Sequence, residues 1–287
     1  MSGRRKRRNC RRPDGILARM VVSVGRPIVR RLSELARESL RQPGGWRCLE
    51  IVYRNQPRTL LDRFWLSSRA ARGARNRLQI LTKELCAIVR DRAKRGEIVN
   101  LLSLGSGPGH EILGCIGQVQ EAASVAATCV DRDLEALQYG EALAAQKGLD
   151  GSVHYVRGNA LSTDAFPACQ DVAVLSGLLD YFDSGTAVSV LTKVRERLKP
   201  GGIVLVANMR RHRLASTMSL LGNWRLAYRE PEEVERLLAE SGYCEIEVRL
   251  EPQEVFCIGR GRRQGLASTP EGHMPHRHQA AGDKAPR

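Results

Sequence analysis

From Ile98 onward the chain alternates between two textures. Short apolar, partly β-branched runs ("IVNLLSL", "SVAATCV", "SVHYV", "DVAVL" and "GIVLVAN") are separated by longer, mostly amphipathic segments. Runs of this length predict buried strands, and strands alternating with helices predict a parallel sheet covered on both faces. In one intervening segment Ala187, Val188, Leu191, Val194 and Leu198 fall on a single helical face, and "KPGG" ends it. "REPEEVERLLAESGY" reads as a further helix, started by Pro and ended by Gly. The runs "CEIEVRL" and "EVFCIGR" after it are expected to pair antiparallel and close the sheet. The fold class expected is α/β: a doubly wound, seven-stranded, mostly parallel, Rossmann-like sheet with an N-terminal helical extension.

The rest of the chain decorates that unit. Residues 1–14 are a basic tail expected to be disordered, and 15–57 a helical extension. Within the extension, Pro27 to Leu40 predicts a helix with Ile28, Leu32, Leu35 and Ala36 on one stripe, broken by "QPGGW". Residues 58–262 form the main domain, opening with a helix over 58–95 whose basic last turn suits a helix C-terminus. Residues 263–287 carry three of the six histidines and are expected to be a disordered tail without a metal. Met20 is a second candidate start.

Charge is uneven. The net charge is +15, but residues 1–95 hold 26 Lys/Arg against 7 Asp/Glu, while 96–287 hold 20 against 24. The basic N-terminal third suits an anionic membrane surface or RNA as partner, or is simply a solvated, Arg-rich face. No apolar run approaches the ~20 residues that span a bilayer, so no integral membrane segment is expected. No secretory signal is apparent, because no apolar segment follows the basic start. The eight cysteines form no CxxC pair and no zinc spacing. Scattered thiols fit a reducing cytoplasm, with peripheral membrane contact as an alternative location.

The turn between the first strand and its helix is "NLLSLGSGPGHEILG", residues 100–114. In a doubly wound sheet this is where ligands bind. Gly105, Gly107 and Gly109 let backbone approach a ligand, and the helix beginning near His110 offers free N–H groups. A dinucleotide fingerprint needs G-x-G-x-x-G, and His110 stands at the third glycine's place, which argues against a pyrophosphate. Asp131 ends the second strand, where a carboxylate accepts both hydroxyls of a ribose. Asn159 follows the third strand, where an amide meets an adenine edge. Taken singly, Asp131 also reads as a helix cap and Asn159 as a turn residue.

Together, "LLSLGSGPG", "VDRD", "GNA", "DVAVLSGLLDYF" and "LKPGGIVLVAN" resemble the class I S-adenosylmethionine-dependent methyltransferases over about residues 58–260. The resemblance implies strand order 3-2-1-4-5-7-6 with the seventh antiparallel. It implies S-adenosyl-L-methionine as cofactor, with Gly105, Ser106, Gly107 and Gly109 along its methionine end, Asp131 on its ribose, Asn159 and Ala160 beside its adenine, and Ser176 at the strand exit. Members often have Asp where Asn159 stands; an amide still meets adenine. More narrowly, "SGLLDYF", "LKPGG" and "NWRLAYRE" are similar to the bacterial 3-hydroxy-fatty-acid methyl ester synthases of quorum sensing. "NQPRTLLDRFWLSSRAARGARNR" is similar to a methyltransferase group with some members fused to a hydrolase domain.

The cofactor class is already activated, so catalysis is mostly positioning and exclusion of water. A carboxylate acceptor needs no base, whereas a hydroxyl benefits from one. Asp180 is the candidate base or orienting group, or else a helix cap. Tyr181 is the candidate pocket wall, or else packing. Arg229 is the candidate partner of an acceptor carboxylate, or else a surface ion pair. Trp224, Arg225, Tyr228, His110 and His212 are further candidates. The expected function is methyl transfer to a small-molecule or lipid-like acceptor, at a carboxylate or hydroxyl. RNA methylation through the basic region, and non-catalytic cofactor binding, are the alternatives. The D/N-P-P-Y/F signature of amine-methylating nucleic-acid enzymes is absent, since "SGLLDYF" stands in its place.

Overall fold

The computed structural model describes residues 33–121, 123–162, 166–211 and 226–265. Four helices come first: α1 (Glu34–Arg41), α2 (Trp46–Arg54), α3 (Leu60–Leu66) and α4 (Arg69–Ala93). Then follow β1 (Val99–Leu104), α5 (His110–Val119), β2 (Val125–Asp131), α6 (Leu134–Gln146), β3 (Val153–Arg157) and β4 (Gln170–Ser176). The chain continues with α7 (Ser184–Arg197), β5 (Leu198–Met209), α8 (Pro231–Glu240), β6 (Tyr243–Leu250) and β7 (Phe256–Arg263).

The seven strands form one sheet in the order β3-β2-β1-β4-β5-β7-β6. Pairs among β1 to β5 are parallel, and β7 runs antiparallel to both β5 and β6. This is the order that the sequence resemblance implies. The period-2 geometry of a strand sends neighbours to opposite faces, and both faces are apolar. Leu101, Val172, Val174, Ile203 and Leu205 pack on one side with Leu81, Leu85 and Ile116 from α4 and α5. Leu102, Ala173, Leu175, Val204 and Val206 pack on the other with Leu191, Val194 and Leu238 from α7 and α8. Each such leucine contributes about 1.5–3 kcal/mol by leaving water.

Two boundaries differ from the sequence expectation. The helix expected from Pro27 to Leu40 is interrupted at Ser33, which is extended (φ −144°) and whose hydroxyl accepts from the N–H of Ala36, so α1 starts at Glu34; residues 27–32 lie outside the described residues. The helix expected over 58–95 is two helices. Ser67 ends α3, and the Ser68 hydroxyl caps α4 by accepting from the N–H of Ala71 at 3.2 Å. A serine pair offers the backbone caps that a continuous helix would leave unused.

Candidate functional site

The loop after β1 is built around backbone that side chains would spoil. Gly105, Gly107 and Gly109 have φ of 62°, 52° and 78°, in the left-handed region. The N–H groups of Gly105 and Ser106 both donate to the carbonyl of Val130, at 2.9 and 3.2 Å, which ties the loop to the tip of β2. A Cβ at Gly109 would stand 2.9 Å from Cys129 Sγ. A Cβ at Gly107 would meet only the Cβ of Trp46, at 3.7 Å, so the first residue of α2 bounds the space over the loop. Ser106 turns its hydroxyl onto the Gly107 carbonyl at 3.0 Å.

Asp131 is the last residue of β2. Its Oδ2 accepts from the Gly107 N–H at 2.7 Å and its Oδ1 from the Asp133 N–H at 2.9 Å. The cap of α6 is Asp133, so Asp131 is not held there as a cap. Asn159 and Ala160 follow β3; Asn159 is exposed and its Oδ1 accepts from the Leu161 N–H at 3.0 Å, as in an Asx turn. Ser176 ends β4, and its hydroxyl is buried without a hydrogen-bond partner.

Beyond β4 the chain makes a tight turn through Leu179–Tyr181. Leu178 packs on the glycine loop, its Cδ1 2.9 Å from where a Gly105 Cβ would be. Asp180 is 4 % exposed and its Oδ1 accepts from the N–H of Met209 at 2.7 Å. Burial pushes its carboxyl up to about 7, against the opposing pull of that N–H and of the Arg77 and Arg229 guanidiniums. The helix cap here is Asp183, not Asp180. Tyr181 is half-exposed on the turn. Tyr228 is half-buried, and burial raises its phenol.

Arg229 lies differently from an acceptor-binding arginine. It is 4 % exposed, and its Nη1 donates to the Leu179 carbonyl and to Asn208 Oδ1, both at 2.7 Å. Its Nη2 donates to the Phe182 carbonyl at 2.6 Å. The guanidinium clamps the β4 exit turn to β5 and is not a surface ion pair; in this region that pair is Arg210 with Glu230. Trp224, Arg225 and His212 lie outside the described residues.

A layer that sequence reasoning missed closes over the loop. Glu50 of α2 meets His110 Nε2 through its Oε2 at 2.8 Å, while its Oε1 accepts from Arg54 Nε at 2.8 Å and from the Tyr139 hydroxyl at 2.9 Å. Burial alone would raise the Glu50 carboxyl; hydrogen bonds from His110, Arg54 and Tyr139 outweigh it and hold the group down at about 2. Trp46 stacks at a tilt on Tyr139, with centroids 4.9 Å apart. Beneath, Arg77 of α4 is buried; its Nη2 donates to the Tyr53 hydroxyl at 2.8 Å, and its Nε has no partner. One signal was legible. Ala74, Arg77, Leu81 and Leu85 share one helical stripe, so an arginine stands where the pattern calls for an apolar residue.

A family model described as "Putative methyltransferase" matches residues 44–263. The chain belongs to this methyltransferase family. Its fold has solved counterparts. A "possible exported protein" from Bordetella parapertussis superposes with a TM-score of 0.74 at 18% identity, covering 86% of this chain and 93% of that one. The S-adenosylmethionine-dependent methyltransferase SibL, in its apo form, gives 0.51 at 16% identity, covering 87% and 78%. A "putative O-methyltransferase" of Nostoc punctiforme gives 0.51 at 15%, covering 83% and 72%. Among curated proteins, the uncharacterized protein YnbC of Escherichia coli (strain K12) is 25% identical over 238 residues. That stretch is 75% of this chain and only 40% of YnbC, so the chain spans well under half the length of this relative.

S-adenosylmethionine is the cofactor that a methyltransferase of this fold implies, and the candidate site is tested against it on its own lining. The open cradle at Gly107, the unpartnered Ser176 hydroxyl and the unpartnered Arg77 Nε–H suit a small ligand with both polar and apolar parts. Among the described residues no cluster of His, Cys, Asp or Glu is arranged to hold a metal.

Proposed function

We propose that this chain transfers the methyl group of S-adenosylmethionine to an oxygen, carboxylate or hydroxyl, of a small-molecule or lipid-like acceptor. The observation that favours a hydroxyl among these acceptors is Asp180: a buried carboxyl on the β4 exit turn, whose Leu178 packs on the glycine loop, with its pKa pushed up to about 7. Such a group exchanges a proton at neutral pH, as a general base for a hydroxyl must.

The proposed division of labour takes its cofactor roles from the sequence resemblance, and the geometry is compatible with them. Gly105, Ser106, Gly107 and Gly109 shape the methionine end of the pocket. Asp131 takes the ribose hydroxyls, Asn159 and Ala160 the adenine edge, and Ser176 with Arg77 the polar groups near the strand ends. The bound cofactor supplies a methyl activated on a sulfonium sulfur. The chain then has to align the acceptor and exclude water. Asp180 takes the proton of a hydroxyl acceptor as its oxygen bonds the methyl carbon and the carbon–sulfur bond breaks. Tyr181 lines the acceptor side. Arg229, with its donors on Leu179, Phe182 and Asn208, is a positioning residue that fixes the turn bearing Asp180.

The sequence similarity to fatty-acid methyl ester synthases favours a lipid-like acid or hydroxy acid as acceptor. The free thiols among the described residues favour a reducing, cytoplasmic setting. Among the described residues no helix is long and apolar enough to cross a membrane. Of the basic N-terminal third, residues 1–32 lie outside the described residues. Incubation with methyl-labelled cofactor against separate lipid, small-molecule and RNA fractions tests the reading. Label in the lipid or small-molecule fraction supports it. Label in RNA alone transfers the function to nucleic acid, and no label in any fraction leaves a cofactor-binding protein.

A further inference from the structure

Large exposed apolar side chains concentrate on α3. Leu60 is 82 % exposed and Phe64 64 %. They stand four residues apart, on one face of the helix. Asp62 and Leu66 point the other way, about 200° round, and both are buried. That inner face is pinned. The Ser33 hydroxyl donates to Asp62 Oδ1 at 2.7 Å, and Arg75 Nη2 donates to the Leu66 carbonyl at 2.9 Å. The helix cannot roll to hide Leu60 and Phe64 without breaking these contacts.

The surroundings are basic. Residues 54–75 hold six arginines and one acid, Asp62, which faces inward. Arg63 and Arg72 are exposed and form no ion pair among the described residues. The ridge also stands at the functional rim. Arg69 Nη2 donates to the Gln253 carbonyl at 2.7 Å, in the turn joining β6 to β7. Val255 of the same turn accepts from the Arg210 N–H at 2.7 Å, just beyond β5. This is the carboxyl end of the parallel strands, where the glycine loop and Asp180 also lie.

We propose that α3 is a docking ridge for an anionic lipid surface. Leu60 and Phe64 enter the boundary between headgroups and acyl chains, while Arg63 and Arg72 meet lipid phosphates. Charge complementarity selects this occupant: Arg54, Arg58 and Arg69 are ion-paired with Glu50, Glu34 and Glu254, but Arg63 and Arg72 are exposed without an ion pair among the described residues, and an apolar ridge with such cations near it matches an interface that is apolar below and anionic above. A second copy of this chain would bring the same arginines face to face. Docking itself does not depend on the acceptor; its use, delivering a lipid-like acceptor to the adjacent site, rests on the function proposed above.

The test is co-sedimentation of the full chain with phosphatidylcholine vesicles, with and without phosphatidylglycerol, at low and high salt. The proposal predicts binding that requires phosphatidylglycerol and weakens with salt. The double variant Leu60→Asp/Phe64→Asp should bind at least about tenfold less, and Arg63→Ala roughly fivefold less. Calorimetry with S-adenosylhomocysteine should give both variants the affinity of the parent chain, showing the fold intact. Absence of sedimentation at low salt, or binding that survives the double substitution, overturns the proposal. A dimer that the double variant dissociates, without vesicle binding, also overturns it and assigns the ridge to self-association. Failure of the parent chain to bind S-adenosylhomocysteine would count against the methyltransferase site and leave the vesicle result to stand by itself.

Discussion

Asp131, at the end of β2, and Asp180, just beyond β4, lie at the same edge of one sheet, yet their surroundings differ. Asp131 is half-buried and accepts two backbone N–H groups, which hold its carboxylate toward the loop. Asp131→Ala should therefore weaken S-adenosylhomocysteine binding by ~1.5–3 kcal/mol, the range for a lost hydrogen bond to a charged group. Gly107→Val should abolish it, since a branched side chain would occupy the cradle beneath Trp46 and strain a φ of 52°. Isothermal calorimetry reads both. Asp180 is governed by burial. Its carboxyl, near 3.9 in an unfolded chain, lies at about 7 in the fold. Over that interval the native state holds a proton that the unfolded state has released. Stability is thus greatest below pH 4 from this group and falls as pH rises through about 7. Asp180→Asn should flatten the fall in melting temperature between about pH 4 and 7, and in an activity assay should remove a rising limb near pH 7. Arg229→Met would remove the donors to the Phe182 carbonyl and to Asn208 Oδ1, while the Leu179 carbonyl keeps the Phe182 N–H, and cost about 1–3 kcal/mol for each group left unpaired.

At the scale of elements, α2 is the part that makes the loop a closed site. Glu50 joins α2 to α5 through His110 and to α6 through Tyr139, and Trp46 covers Gly107. Glu50→Gln keeps the shape but loses the charge that His110 and Arg54 share. The expected result is faster amide hydrogen exchange across 46–54 and a several-fold weaker cofactor affinity, with the β-sheet core unchanged. These contacts were not legible in the sequence. They join residues 60 and 89 positions apart, and nothing local in "WRCLEIVYR" marks Glu50 as a loop partner. The strands were legible because burial on both faces forces continuous apolar runs, as in "DVAVL" and "GIVLVAN". The loop was legible because positive φ demands glycine. Arg229 was legible as important, but its direction was not: a sequence shows a cation near a strand exit, and only the packing turns it onto Leu179, Asn208 and Phe182. Ser33 and Ser68 divided the N-terminal helices through side-chain caps, which compete locally with an otherwise continuous helical pattern.

The whole molecule joins a basic N-terminal third to a slightly acidic sheet domain, 26 Lys/Arg against 7 Asp/Glu before residue 96 and 20 against 24 after it. In the fold, the basic side contributes α3 and the lid α2, both on the rim where the loop and the β4 exit open. An acceptor entering the proposed site along this rim would pass arginines, which favours an anionic group such as a carboxylate or phosphate. This places the central claim, methyl transfer to oxygen, within reach of one measurement. The full chain is incubated with methyl-labelled S-adenosylmethionine and a lipid and small-molecule extract, and the labelled product is treated with mild base. The account predicts label in that extract at a rate that rises through about pH 7 for a hydroxyl acceptor and is lost in Asp180→Asn, or base-labile methyl ester for a carboxylate. No label in that extract, or label only at a nitrogen or carbon of the acceptor, would contradict it.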